Sequence, residues 1–306
     1  MPRIYTIAFW FSVSLAVAAI VVTAMFGLRL GIDFRGGSVL ELEFHPPAGG
    51  TVPATEDVRT VLRPKISDFE MSPVGDRGFI IRTHELTEPQ HQEVLRTLNS
   101  SFPAAGISER QFNSIGPVLG NELKNKSIVA IILVLLAVII YIAFVFRKIG
   151  RTTSPWAMGL AAIIALVHDV IIPTGVFAIL GRYYGVEITA VFLAAALTIL
   201  GFSVSDTVVI FDRVRENILR GDSPRVEAGK GSFGAIVHRS VMQTLTRSLN
   251  TVFTVLLSLF AIYFFGGESI KYFSLALIVG IFLGAYSSIF VASPLLVWLT
   301  RRFKST

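Results

Sequence analysis

The sequence predicts a polytopic α-helical membrane protein with six transmembrane helices and a small ferredoxin-like α+β domain between the first two. Composition is the first observation: the 306 residues are 53% hydrophobic and 16% charged, whereas soluble domains carry about 25% charged residues. The second is a set of six long apolar segments, and the third is a polar stretch of about ninety residues after the first of them. That stretch is too long for a connector and large enough for a small domain.

The apolar segments have lengths typical of membrane helices. They lie at about 5–28, 127–146, 156–180, 188–211, 249–265 and 272–299. The fifth reaches the ~20 residues of a bilayer span only with its more polar lead-in from about 243. The first resembles a secretion signal, but its apolar run exceeds the roughly 7–15 residues of a signal core and no A-x-A site closes it. We interpret it as a retained helix.

The polar stretch has the rhythm of a β-α-β-β-α-β domain. It contains predicted strands at 38–45 and 107–116, a hairpin over 68–84 turning near Gly75-Asp76, and helices at 55–66 and 87–102. Thr55 is the expected N-cap of the first helix. This order is that of the split β-α-β arrangement, which hosts many unrelated functions. We therefore divide the chain into a first helix (1–30), this domain (31–122) and a five-helix membrane domain (123–306).

Basic residues are concentrated in alternate loops. The 147–155 and 212–242 loops and the C-terminal tail are rich in Lys and Arg, whereas the opposite loops hold little beyond Arg182 and Lys271. Cytoplasmic loops carry such an excess, so both termini are predicted to be cytoplasmic and the inserted domain extracytoplasmic. The net charge of +6 then needs no nucleic-acid partner. Cysteine is absent, which excludes disulfides and thiolate metal sites, and we expect neither a metal ion nor a cofactor.

The fourth apolar segment, 188–211, contains a carboxylate close to its end. GFSVSDTVVIFDRVREN (201–217) places Asp206 directly after an apolar run, among Ser203, Ser205 and Thr207. A charged side chain at the centre of a bilayer costs a few kcal/mol or more and is by default functional. The sequence therefore predicts a functional carboxylate here.

The fifth apolar segment carries a polar stripe. Its members are Ser240, Gln243, Arg247, Asn250, Thr251, Thr254 and Ser258. At 100° per residue they fall within roughly a 100° arc of one helix. We interpret Asp206 and Arg247 as a pair across two helices, beside a path that protons reach. In the alternative, Arg247 snorkels to the cytoplasmic surface and Asp206 simply ends its helix, which leaves the deeper stripe residues unexplained.

The third segment contains His168 and Asp169 in LVHDVIIPTG. Neighbouring helical residues point about 100° apart, so we expect these two not to share one narrow site. A relay role and a satisfied structural pair both remain open. A serine protease that uses Ser203 or Ser205 with His168 is a further alternative, but no strained nucleophile turn or oxyanion loop surrounds either serine. Gly280 and Gly284 in the last segment form a small-xxx-small ridge typical of helix packing.

The segment GIDFRGG (31–37) follows the first helix. Its glycines, Gly31, Gly36 and Gly37, permit unusual backbone angles, and Asp33 is able to bond within its own turn, beside Arg35. Together with GFSVSDTVVIFDRVREN and QTLTRSLNT, in this order and topology, it resembles the SecF family of membrane proteins that assist Sec-dependent protein export. The resemblance covers essentially the whole chain. The family usually has Asn before the acidic residue, where this chain has Ser205.

The resemblance implies a non-enzymatic subunit of the bacterial cytoplasmic (inner) membrane. Its partners would be SecD, the SecYEG translocon, the exported polypeptide and membrane lipid. A proton or sodium gradient would drive the outer domains and promote late translocation. GIDFRGG would be the domain hinge, and Asp206 and Arg247 the coupling residues. Possible relay or polar support would come from His168, Asp169, Ser203, Ser205, Thr207, Gln243, Asn250 and Thr254.

Two other functions fit parts of the same pattern. One is half of a proton-driven small-molecule or lipid exporter of the resistance–nodulation–division architecture, which the resemblance also covers. GIDFRGG and the single small outer domain favour the export factor over it. The other is a structural scaffold for SecD, which would leave Asp206 and Arg247 without a purpose.

Overall fold

The computed structural model describes residues 1–47, 50–147, 154–220 and 233–303. The central parts of the two basic loops, 148–153 and 221–232, lie outside the described residues. The chain forms two compact units, one of residues 1–29 and 129–306 and one of residues 30–128. In chain order the elements are α1 (Arg3–Phe26), α2 (Ile32–Arg35), β1 (Gly37–Phe44), α3 (Thr55–Leu62), β2 (Phe69–Val74), β3 (Gly78–Thr83), α4 (Glu88–Ser101), β4 (Ile107–Ile115), α5 (Pro117–Val145), α6 (Pro155–Tyr184), α7 (Ala190–Leu219), α8 (Phe233–Phe265), α9 (Glu268–Ser287), a π-helical turn (Ser288–Ala292) and α10 (Ser293–Phe303).

The prediction of six membrane-spanning helices is confirmed. Six helices in the described part of the chain are long and apolar enough to cross a bilayer: α1, α5, α6, α7, α8 and the run from Ile270 to Arg302. Several exceed their predicted bounds, since α7 continues to Leu219 and α8 already begins at Phe233. Ion pairs three residues apart, Arg213–Glu216 and Asp212–Arg215, support the polar end of α7. Asp206 therefore lies inside a continuous helix.

The helices of the membrane unit approach most closely where a residue is small. A Cβ atom added to Gly175 in α6 would lie 2.7 Å from Cβ of Ala19 in α1. The backbones of α1 and α6 thus meet without an intervening side chain. Pro173 lies two residues earlier, inside α6, which continues as a helix to Tyr184.

The small unit has the predicted ferredoxin-like topology. Its four strands are ordered β2-β3-β1-β4, and every neighbouring pair is antiparallel. Alternate residues of β1, Leu40, Leu42 and Phe44, are buried in a core with side chains of α3 and α4. That period-two pattern is what one buried sheet face requires. The β2–β3 hairpin turns at Gly75, which has a φ of +58°.

The two helices of the small unit, α3 and α4, begin differently: α4 has a side-chain N-cap and α3 does not. The expected N-cap at Thr55 is wrong, because Ala54 is the capping residue and Thr55 is the first residue of α3. At α4 the capping box is present: Thr87 and Gln90 satisfy each other's backbone N–H groups. Such a box satisfies two donors that the first helical turn leaves unpaired. The Thr-x-x-Gln spacing thus indicated the start of α4 correctly, whereas Thr55 alone did not mark the N-cap of α3.

The GIDFRGG segment is a single turn of helix followed by two glycines. Gly31 caps α2 with an ordinary φ of −74°, so the expectation of an unusual backbone angle there is wrong. Gly36 and Gly37 do adopt positive φ values, +78° and +123°. A Cβ atom on Gly36 would lie 2.6 Å from Cα of Pro117, and one on Gly37 would lie 2.6 Å from the carbonyl oxygen of Thr83. Both backbone angle and lack of space therefore require glycine at these two positions.

Candidate functional site

Asp206 lies on the inner side of α7, facing α8. Its Oδ1 accepts a hydrogen bond from the hydroxyl of Ser248. Ser288, in the π-helical turn, makes a weaker polar interaction with the same carboxyl group. The other oxygen, Oδ2, is buried and has no hydrogen-bond partner among the described residues. An unpaired buried oxygen is costly, so this carboxyl group has an open position for a proton.

Arg247 does not contact Asp206 in the described part of the chain. Ser248 takes the position opposite the carboxyl group, and Arg247, the preceding residue of α8, points to the exposed side. Successive helical residues differ by about 100°, and here Ser248 is buried against α7 while Arg247 is exposed. The structure thus brings Ser248 to Asp206 and leaves Arg247, the predicted partner, on the outer surface of the membrane unit.

From Arg247 onward the polar stripe of α8 faces away from the other helices, whereas at its start Ser240 is buried and Gln243 bonds to α7. Gln243, Arg247, Asn250, Thr254 and Ser258 are all exposed. The hydroxyl of Thr254 bonds to the carbonyl of Asn250 in its own helix. Beyond Gln243 the stripe is therefore a polar surface of the membrane unit, whereas the prediction that Ser240 shares this face is wrong.

The inward face of α8 carries a second set of small polar residues. It includes Ser240, Thr244 and Ser248, four residues apart and buried. This set was not recognised from the sequence as distinct from the stripe. The four-residue spacing was its signal.

His168 and Asp169 meet in one site in the interior of the membrane unit. Nδ1 of His168 lies 2.9 Å from Oδ1 of Asp169, so the expectation that they cannot share a site is wrong. The two side chains diverge at Cβ, but each reaches two bonds further and closes the gap. Oδ2 of Asp169 accepts hydrogen bonds from Ser203 and Ser287, both at 2.6 Å. Asp169 is 0% exposed, and this site therefore joins α6, α7 and α9.

The π-helical turn links this site to Asp206. Ser287 bonds to Asp169, whereas its neighbour Ser288 bonds to the carbonyl of Gly284 at 2.9 Å and to Thr207, the residue next to Asp206, at 2.8 Å. The turn is stabilised by Ser293, whose hydroxyl donates to the carbonyl of Ser288, five residues earlier. Single π turns inside helices are frequent at functional sites. Sequence reasoning missed this pair of serines, although a double serine after a small-xxx-small motif was its visible signal.

The glycine ridge on α9 makes these contacts possible. A Cβ atom on Gly284 would lie 3.0 Å from Cβ of Ser203, and one on Gly280 would overlap Ile199. The interpretation of this ridge as helix packing is confirmed. Close approach of α9 to α7 is what brings Ser287 within reach of Asp169.

We expect Gly284→Val to lower the thermal denaturation temperature of the chain in detergent. The added methyl groups would push α9 from Ser203, and overpacking of a tight contact costs about 1–3 kcal/mol. Gly201→Ala is the matched control, because a Cβ atom at Gly201 meets nothing within 4 Å. Equal denaturation temperatures for Gly284→Val and Gly201→Ala would contradict this account of the ridge.

Gln243 and Ser205 lie outside these two sites. Gln243 accepts hydrogen bonds from Arg213 at 2.7 Å and Asn217 at 2.9 Å, at the polar end of α7. Ser205 is exposed on α7. Ser203 lies in the middle of a helix and donates to Asp169, and among the described residues no hydrogen bond joins it to His168, the base that the protease alternative requires. Within the described residues, no cluster of three or more His, Cys, Asp or Glu side chains is placed to hold a metal ion.

Comparison with known families identifies the chain's relatives. Residues 95–302 match the family described as protein export membrane protein SecD/SecF, C-terminal, and residues 21–48, which include GIDFRGG, match the SecD/SecF GG motif. The protein translocase subunit SecF of Thermobaculum terrenum is 45% identical over 91% of this chain and 87% of its own length. The chain belongs to the SecF family. The SecF of Anaerolinea thermophila is 38% identical over 94% of this chain and 91% of its own.

Solved structures agree with the SecF assignment. The crystal structure of SecDF, a translocon-associated membrane protein from Thermus thermophilus, is 32% identical with a TM-score of 0.79. The alignment covers 97% of this SecF-family chain but 38% of the SecDF chain. A second SecDF structure, in a super-membrane-facing form, aligns with a TM-score of 0.66 at 31% identity, over 98% of this chain and 38% of its own. The fold and a role in Sec-dependent export are thus those of this family.

Proposed function

We propose that this SecF-family chain pairs with SecD in the bacterial inner membrane and couples an ion gradient to late polypeptide translocation outside the membrane. The exposed polar stripe of α8 carries the proposal. Arg247 and Asn250 lie in the membrane-spanning helix and face outward, where hydrocarbon would leave their polar groups unsatisfied. A polar helix face of a partner subunit would satisfy them. The chain aligns with 38% of SecDF, which leaves room in that protein for such a partner.

The coupling residues in this proposal are Asp206 and Arg247. Asp206 has one oxygen bonded to Ser248 and one open. Arg247 lies next to Ser248 on α8, so a small rotation of α8 or a carboxylate of the partner would change the charge balance beside Asp206. Protonation would release the carboxyl group from such charge pairing and let α7 and α8 shift.

The energy available matches this scheme. Moving one elementary charge through 100 mV is worth about 2.3 kcal/mol, similar to the cost of inserting the carboxylate. A proton per cycle would therefore shift a two-state equilibrium by tens-fold. Protons and sodium ions would both meet this requirement, so the choice of ion is for experiment to decide.

The experiment is gradient-driven translocation in vesicles that contain SecYEG, this chain and SecD. We expect the gradient to accelerate translocation only when both subunits are present, and an ionophore to abolish the acceleration. Replacing sodium by potassium at constant pH separates the two ions. Equal translocation with and without a gradient would contradict the proposal, and full stimulation without SecD would contradict the pairing.

The proposed topology places both termini in the cytoplasm and residues 31–122 outside. The chain has no native cysteine, so single cysteines report without background. An impermeant maleimide added to intact cells whose outer membrane has been made permeable is expected to label Gln111→Cys, an exposed residue of β4, but not Ser223→Cys. Ser223 belongs to the basic loop outside the described residues. Labelling of Ser223→Cys before lysis would reverse the orientation.

A further inference from the structure

The His168–Asp169 pair has an unbalanced buried charge unless it holds a proton. Asp169 is 0% exposed and His168 is 6% exposed. Among the described residues, His168 is the only basic side chain that forms an ion pair with Asp169. An isolated carboxylate in such a place is strongly unfavourable. Either the carboxyl group is protonated or the imidazole ring carries the compensating positive charge.

The hydrogen bonds favour an ionised Asp169. The hydroxyl of Ser287 lies 2.6 Å from Oδ2 of Asp169 and 3.1 Å from the carbonyl oxygen of Gly284. Since a hydroxyl has one proton, the shorter contact marks its principal acceptor. Ser203 makes an equally short contact, at 2.6 Å, with the same oxygen. A carboxyl oxygen that accepts two short hydrogen bonds is best described as part of a carboxylate.

The ring of His168 is placed to carry the compensating charge. Nδ1 faces Oδ1 of Asp169 at 2.9 Å, which directs an Nδ1–H toward the carboxylate. Nε2 is buried and unpaired among the described residues. It is therefore the atom at which a proton binds or leaves. Binding one proton there changes the net charge of the pair from −1 to 0.

Within the described residues, no side chain of the neighbouring helices forms an ion pair with His168 or Asp169. α7 presents Ser203 and, one turn further along, Asp206, which faces Ser248 and Ser288. The other ionisable side chains that the structure describes on α1, α7, α9 and α10 are Arg3 and Tyr5 on α1, Asp212, Arg213, Arg215 and Glu216 at the polar end of α7, Lys271, Tyr272 and Tyr286 on α9, and Arg301 and Arg302 at the end of α10. Tyr5 is bonded to His238, and Tyr286 to the carbonyl of Ala8. Asp206 is thus the ionisable group connected to the pair, through Ser288 and its neighbour Ser287.

We propose that His168 and Asp169 form a second proton-binding site, in which Asp169 stays ionised and the exchangeable proton resides on Nε2 of His168. The Ser287–Ser288 pair joins this site to Asp206, so the charge at one site biases the other. The proposal deepens the proposed function and rests on it for the use of the proton, but not for its location. His168 is here a proton-binding residue, and Ser203 and Ser287 are positioning residues.

Nitrogen NMR of the full chain in lipid nanodiscs tests the location directly. The chain has five histidines, so ¹⁵N-histidine labelling gives few signals, and the signal of His168 is the one lost in His168→Gln. We expect the wild-type protein near pH 7 to show both ring nitrogens of His168 protonated, because the ring is the positive partner of Asp169. In Asp169→Asn the ring should be neutral near pH 7. Thr198→Ala is the matched control, because it removes a hydroxyl bonded within α7 on the exposed side, outside the site, and should leave the ring protonated.

The wild-type spectrum alone is able to overturn the proposal. A neutral His168 ring throughout about pH 5–8 would do so, and so would a protonated ring that Asp169→Asn leaves unchanged. The proposed function is tested separately: it is wrong if the translocation rate in the vesicle assay is the same with and without the gradient, whatever the NMR spectrum shows. With both correct, His168→Gln should shift the pH dependence of gradient-driven translocation, whereas Thr198→Ala should not.

Discussion

Replacing Asp206 with Asn is expected to abolish gradient-dependent stimulation of export while the chain still folds and binds SecD. Asparagine retains the size of the side chain and an oxygen that accepts from Ser248, but it cannot bind or release a proton at this position. Stimulation by the gradient in the vesicle assay should fall by roughly tenfold or more, because the two-state bias from one proton is tens-fold. Arg247→Met should have nearly the same effect, and the double variant should be no worse than either single one.

Asp212→Asn is the matched control for Asp206→Asn. Asp212 lies six residues along the same helix, is exposed, and pairs with Arg215 within one helical turn. Exposed pairs of this kind contribute little, so its loss should leave stimulation near the wild-type value. Asp206→Glu should keep part of the stimulation, since it retains a titratable group at a different reach. Wild-type stimulation in Asp206→Asn would show that the proton binds elsewhere.

Replacing Gly36 and Gly37 together with Val is expected to leave membrane insertion intact and eliminate export. Both residues have positive φ values, which cost a residue with a Cβ atom roughly 1–2 kcal/mol each and a β-branched residue more. The added atoms would also overlap the backbone of Pro117 and Thr83. These costs together are a large part of the stability of a small domain. Export rate and protease resistance of the outer domain measure the effect.

Gly75→Val separates backbone strain from steric overlap. Gly75 also has a positive φ, +58°, but a Cβ atom there meets nothing within 4 Å. We expect Gly75→Val to reduce protease resistance moderately and to preserve export. If the Gly36 and Gly37 double variant exports normally, GIDFRGG is a tolerant linker. If it is protease-resistant but does not export, the segment acts as the hinge.

Much of the fold followed from periodicity in the sequence. The alternation of Leu40, Leu42 and Phe44 indicated a strand with one buried face, and six apolar runs of bilayer length indicated the helices. The ends of the membrane helices were less predictable. Residues 212–219 read as a polar loop, but ion pairs within one helical turn keep them in α7. Such local pairs leave no trace in a hydropathy pattern.

The site was predictable only in its conspicuous residues. Asp206, Arg247, His168 and Asp169 stood out because charge is rare in membrane helices. Their partners could not be assigned, because which neighbour faces a carboxylate depends on helix rotation and on the close approach at Gly284. The π-helical turn is a still clearer case, since one widened turn brings Ser287 and Ser288 to different carboxyl groups. The periodicity of apolar residues in a sequence does not indicate where a helix widens into a π-helical turn.

The outward-facing stripe of α8 also bears on how cells produce this subunit. Arg247 and Asn250 lie on the outside of a membrane helix. In lipid without a partner subunit, their polar groups would have no hydrogen-bond partners. Polar groups that face lipid cost free energy, so a surplus of this chain over its proposed partner should be less stable in the membrane. Under the proposed pairing, the amount that accumulates would follow the synthesis of SecD. Matched synthesis of the two chains, or their fusion into one polypeptide, would avoid that loss.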